Sequence, residues 1–172
     1  MTFRISAINP GLGNPDLQLY AVDTTPRVAA GTIVQAVDDI GIMQVGEFIY
    51  MQASVAVLAA QAVVYELGPN DAVALTASGT HANKGRTVAV ALTDIALNSW
   101  GWFQISGCAA VKALAAVDGA IVMISATAGS LSSGVIAGCQ VNNAVFSGAL
   151  NTPAAGLAYV TLNRSSIQTQ IT

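Results

Sequence analysis

From Gly31 onward the chain is a succession of short β-prone runs separated by turn residues, at about the 8 to 12 residue spacing of a sandwich or barrel. The runs predicted as strands are Thr32 to Val37, Glu47 to Gln52, Ala62 to Leu67, Ala72 to Thr76, Thr87 to Thr93, Trp100 to Ser106, Ala109 to Ala113, Ala120 to Ala126 and Leu157 to Leu162. Turn chemistry punctuates them at Gly68-Pro69-Asn70-Asp71, Asn83-Lys84-Gly85, Asp118-Gly119 and Asn142-Asn143, where proline fixes φ and Gly, Asn and Asp accept turn geometry. The clearest alternation is in Arg86 to Thr93. Val88, Val90 and Leu92 fall on one face, and Thr87, Ala89, Ala91 and Thr93 on the other, a small-residue face suited to close packing. Ser54 to Ala62 fits a short helix or a strand, and Val55 and Val57 ahead of Ala62-Val63-Val64-Tyr65 favour a β hairpin. No internal repeat stands out.

Residues 1 to 30 have a different texture. Asn9-Pro10-Gly11, Gly13-Asn14-Pro15 and Thr25-Pro26 interrupt any period, so this stretch reads as an extended N-terminal arm ahead of a domain over residues 31 to 172. The expected fold class is all-β, a β-sandwich or jelly-roll-like barrel with that arm.

Composition adds a constraint on the surface. Charged residues make up 9% of the sequence and apolar residues 53%, against roughly a quarter charged in ordinary soluble domains. A surface so poor in charge is expected to be covered, by copies of the same chain or by another protein. Membrane insertion needs about 18 consecutive apolar residues, and none occur: Ser54 and Gln61 break Ala53 to Tyr65, and Ser125 ends Ala120 to Ile124. The first ten residues carry no secretory pattern, which predicts use in a cytoplasm. The basic residues Arg4, Arg27, Lys84, Arg86, Lys112 and Arg164 are scattered and the formal net charge is −3, so no stripe is available to neutralise phosphates and no nucleic-acid partner is expected.

Candidate chemistry is sparse. The single histidine, His81, sits in the polar run Ser78-Gly79-Thr80-His81-Ala82-Asn83 with no partner to orient it and no nucleophile elbow nearby, so a solvated loop histidine is expected. Cys108 and Cys139 match no metal spacing and read as small buried hydrophobes. Asp38-Asp39 and Asn70-Asp71 supply oxygen donors, but in turn contexts and without the spread of ligands calcium needs. Neither a catalytic site nor a cofactor or metal is expected. The most distinctive segment is Trp100-Gly101-Trp102-Phe103-Gln104-Ile105-Ser106-Gly107. Alternation places Trp100 and Trp102 on one face and Phe103 and Ile105 on the other, the pattern of a strand buried on both sides.

Several segments resemble tailed-bacteriophage structural proteins of the capsid decoration, or cement, type: Gly46-Glu47-Phe48-Ile49-Tyr50, Trp100 to Gly107 running on to Val111-Lys112-Ala113, Thr127-Ala128-Gly129, Thr152 to Ala158 and Leu162-Asn163-Arg164. The resemblance spans about residues 31 to 164. It implies a small β-sandwich or jelly-roll-like domain that forms dimers or trimers, takes no cofactor, and binds the major capsid protein on the exterior of a virion assembled in the host cytoplasm. Phe3 and Arg4 of the arm, with Trp100, Trp102 and Phe103, are the expected interface residues. The alternative is a receptor-binding or carbohydrate-binding β-module with Trp100 and Trp102 as a stacking platform.

Overall fold

The computed structural model describes residues 3–7, 18–38, 45–66, 71–74 and 85–168, and these form an all-β fold. In chain order the strands are β1 Phe3–Ala7, β2 Ile33–Asp38, β3 Val45–Ala53, β4 Ala62–Glu66, β5 Asp71–Ala74, β6 Thr87–Ala91, β7 Trp100–Ala115, β8 Ile121–Ile124, β9 Leu131–Ser132, β10 Gln140–Phe146 and β11 Leu157–Ile167. The strands β7, β9, β8, β10, β11 and β6 pair in a closed circuit, a six-strand mixed barrel in which β7 and β9 run parallel. Three more, β3, β5 and β4, complete a second circuit with β6 and β7, with β3 and β5 as its parallel pair. Expected as sandwich or barrel, the fold is thus a barrel, and among the described residues each strand of the two circuits has a neighbour on both sides.

Strands shared between the circuits must be apolar on both faces, and the sequence alternation provides this. Val88 and Val90 of β6 enter the larger core beside Val111, Ile124, Phe146 and Val160, while Ala89 and Ala91 enter the smaller one beside Ile49, Met51 and Phe103. A third apolar layer lies outside β3 and β7, where Leu19, Val34, Phe48, Tyr50 and Trp102 pack together. Residues 18–30 supply its cover. This part of the expected arm lies on the chain's own sheet, with Leu19 buried, and β1 pairs antiparallel with β2.

β7 joins the two predicted strands Trp100 to Ser106 and Ala109 to Ala113 into one. Gly107 lies between them at φ +91, and a Cβ there would run into the carbonyl oxygen of Val45. Glycine lets the strand continue where its partner changes from β3 to β11. Two other expectations need correction. Asn142-Asn143 does not reverse the chain: Asn143, at φ 57, sits inside β10 where the register with β11 shifts. Asparagine tolerates left-handed backbone, and the same tolerance serves a bulge as well as a turn. Ser54 to Ala62 is neither helix nor hairpin. Residues 54–61 are a loop whose Val57 bridges to Ile95 in the loop preceding β7, Ala62 already opens β4, and the flanking strands are committed to different neighbours, β3 to β7 and β4 to β6.

The strand pairings also reveal a duplication. In β3 to β7 the first strand is parallel to the third and antiparallel to the fifth, the second is antiparallel to the third and fourth, and the fourth to the fifth. The strands β7 to β11 obey the same rules, so β7 closes one unit and opens the next. Within the first unit, 49–65 and 87–103 correspond position for position. Tyr50 opposite Trp102 matches Val88 opposite Val64, Ala60 and Asn98 both have φ 62, and Val57 and Ile95 exchange backbone hydrogen bonds across the local dyad.

Candidate functional site

Beneath residues 18–30, the aromatic side chains of β3 and β7 form the most organised cluster of polar and aromatic groups. The Tyr50 hydroxyl donates to Asp23 Oδ2 at 2.7 Å and accepts from the Arg27 backbone N–H at 3.2 Å. Arg27 in turn reaches Asp23 Oδ1 at 2.6 Å. Asp23 and Trp100 exchange backbone hydrogen bonds of 2.9 and 2.8 Å, which adds a short rung beside β7. The Tyr50 ring stacks on Trp100 at 5.8 Å and meets Trp102 at 5.1 Å. Asp23 therefore ties the strap to the barrel twice, through backbone and side chain.

Burial, foremost, pushes the Tyr50 hydroxyl up to about 12 from an ordinary value of 10.0, with the hydrogen-bonded Asp23 carboxylate acting in the same direction. Between those values the unfolded chain has released a proton that the native chain still holds. The Tyr50 contribution to stability is therefore expected to be flat below pH 10 and to fall as pH rises from 10 to about 12. Burial raises Tyr65 as well and adds to that slope. Urea unfolding at intervals across this range checks the point: Tyr50→Phe should flatten the decline, and an unchanged slope would contradict the assignment to Tyr50.

Two further polar links organise β7. The buried Gln104 donates from Nε2 to the carbonyls of Ser106 at 3.1 Å and Cys108 at 2.9 Å, holding the strand on either side of Gly107. Above it, Arg164 contacts Glu47 through Nε at 3.1 Å and Nη2 at 3.3 Å, tying β11 to β3. The guanidinium holds the Glu47 carboxyl below its usual range. This pair is solvated, so its stabilising effect, present above the ordinary carboxylate range and lost as pH falls through the lowered one, is small.

The expected interface residues do not form one surface. Trp102 is 2% exposed and Phe103 is fully buried, on opposite faces of β7, so their packing is internal to the chain and Trp102 keeps no face for a stacked ligand. Trp100 is half-buried against Tyr50. Phe3 and Arg4 lie in β1, opposite Asp38 and Val37. His81 falls outside the described residues, as do Asp39 and Asn70. Cys108 packs against the outer layer and Cys139 lies inside the larger core. Among the described residues no group of three or more His, Cys, Asp or Glu comes together to hold a metal ion, and no helix is long and apolar enough to cross a membrane.

What the surface does offer is uncharged contact area. Leu58 and Leu97 are 50% and 57% exposed on the loops joined through Val57 and Ile95, and Val117 is 62% exposed in the turn between β7 and β8. On the outer face of β10 and β11, Asn143, Ala144, Val145, Thr161 and Asn163 line an open depression of about 350 Å³ with no ionisable group in its wall. Such surfaces suit broad contact with another protein better than proton transfer. The roles of Tyr50, Asp23, Arg27 and Gln104 escape sequence reasoning because their partners are set by tertiary pairing. No family model matches the chain, and no curated protein matches its sequence.

Proposed function

We propose that this chain is a structural virion protein that self-associates, binds the outer surface of a bacteriophage capsid and stabilises the shell by bridging adjacent capsomers. The observation that carries the reading is the pairing of a closed, doubly cored β-barrel with exposed aliphatic side chains, Leu58, Leu97 and Val117, in a chain with only 9% charged residues. A rigid body of this kind loses little conformational entropy on docking, and its uncharged surface is cheap to desolvate. Linked copies engaging a lattice together gain effective concentration, so weak single contacts suffice. The partner is the major capsid protein.

Co-sedimentation with shells stripped of their surface proteins tests the reading. Saturable binding is expected, with stoichiometry tied to the lattice, and weakened by Leu58→Asp combined with Leu97→Asp while the fold is retained. Failure of the unaltered chain to sediment with shells at any concentration would overturn it.

A further inference from the structure

Among the described residues, the non-glycine positions with positive φ are Ala60, Asn98, Asn143, Asn151 and Arg164. Ala60, Asn98 and Asn151 lie between strands, whereas Asn143 and Arg164 lie inside β10 and β11 and face each other. Asn142 pairs with Ser166 and Ala144 with Leu162, so Asn143, at φ 57, stands opposite the stretch of β11 that carries Arg164, at φ 45. Regular pairing needs no left-handed residue, and arginine lacks the short polar side chain that eases asparagine into that region. Ser165, fully buried, holds the double bulge. Its hydroxyl donates to the Asn143 carbonyl at 2.8 Å and accepts from the Asn163 backbone N–H at 3.4 Å. Backbone strain that is held in place by buried hydrogen bonding points to a position fixed for use.

Asn143 and Asn163, both exposed, line the depression of about 350 Å³ on β10 and β11 with Ala144, Val145 and Thr161. Neither carboxamide is hydrogen-bonded to another described residue. The Arg164 guanidinium is drawn away to Glu47 and takes no part in the wall. We propose that this depression binds a neutral saccharide. A wall without an ionisable group gives no counter-charge to a phosphate or an acidic sugar. Each carboxamide offers donors and an acceptor, the set that adjacent sugar hydroxyls require, and Ala144 and Val145 offer an apolar patch to the C–H face of a ring. The volume is at the small end of ligand sites, room for about one or two sugar rings. A peptide fits less well, because β10 and β11 are each paired on both sides and leave no backbone edge for it to extend. Carbohydrate recognition, expected at Trp100 and Trp102, thereby moves to β10 and β11, and it stands independently of the capsid reading.

Methyl glycosides of glucose, galactose, mannose and N-acetylglucosamine, each titrated to about 20 mM into the isotopically labelled full chain, test the proposal by amide chemical shifts. At least one should move the amides of Asn143, Ala144, Thr161 and Asn163 saturably, with a Kd on the order of millimolar for so open a site. Glucuronic acid and sialic acid should not. Asn143→Gly keeps the left-handed backbone and removes one carboxamide, and Asn163→Ala removes the other. Each should weaken binding about tenfold while amides outside the depression keep their shifts. Trp100→Ala should leave affinity unchanged. The proposal is overturned if none of the four glycosides moves these amides, if acidic sugars bind as tightly, or if affinity follows Trp100→Ala and ignores Asn163→Ala.

Discussion

Trp102→Ala is expected to lower the unfolding free energy by about 3 to 5 kcal/mol. The indole is 2% exposed and packs in the outer layer with Leu19, Phe48 and Tyr50. Its removal opens a cavity over β3 and β7 that the paired backbone cannot collapse to fill, and it also removes the 5.1 Å contact that steadies the Tyr50 ring under the strap. A domain has a total stability of about 5 to 15 kcal/mol, so the variant should be marginal at 37 °C. Urea unfolding measures the loss, and near-ultraviolet dichroism should report a loosened Tyr50 environment before global unfolding. Trp100→Ala, at a half-buried position, should cost markedly less. A Trp102→Ala loss below about 1 kcal/mol would mean that the outer layer is not packed as described.

Gly107→Ala should be nearly as damaging for an unrelated reason. Its φ of +91 lies where side chains are strained, and the added Cβ would run into the Val45 carbonyl oxygen and meet Gly46 Cα at 3.0 Å, backbone atoms held by the pairing of β3 with β2. Strain and displacement together should cost about 3 kcal/mol or more. Gly119→Ala is the matched control, since its φ is +76 but its Cβ would meet nothing within 4 Å. It should cost only about 1 kcal/mol, the conformational part alone. Similar losses for the two variants, measured by urea unfolding, would show that β7 does not run tight beneath Val45.

The strands were most legible where one residue type alternates strictly with another. Thr87 to Ala91 shows two buried faces because valine alternates with alanine, and Trp100 to Ile105 shows them because both parities are bulky. Legibility fails where a residue has two structural uses. Gly107 reads as a break and is instead what lets β7 continue, and Asn143 reads as a turn and is a bulge. The turns leading into strands show the same limit. Hydrogen bonds from Thr32 to Ala29, Gln61 to Leu58, Ser99 to Ala96, Ala120 to Val117, Ser130 to Thr127, Cys139 to Ile136 and Leu157 to Ala154 each close a turn whose third residue has positive φ. Five of those third residues are glycines and a sixth is Asn98, which composition can flag, whereas Ala60 gives no signal. The duplication was invisible because a strand needs only an apolar residue of fitting size, so Tyr50 and Trp102 correspond to Val88 and Val64 with nothing in common but their pairing.

The candidate site was legible in kind and not in place. Trp100, Trp102 and Phe103 announce a strand with two apolar faces, but sequence cannot say whether a face is covered by the same chain or another. Here residues 18–30 cover Trp102, and the exposed aliphatic side chains lie instead at loop positions such as Leu58 and Leu97, unremarkable in the sequence.

The most direct test of a shell-stabilising role is the disruption temperature of stripped capsids, measured by light scattering with and without saturating protein. A ligand that binds the assembled shell and not its separated subunits shifts the equilibrium toward the shell by RT ln(1 + [L]/Kd) at every site. The disruption temperature should therefore rise with protein concentration and level off at saturation, and Trp102→Ala should blunt the rise. A disruption temperature that stays unchanged at saturating protein would contradict the capsid reading.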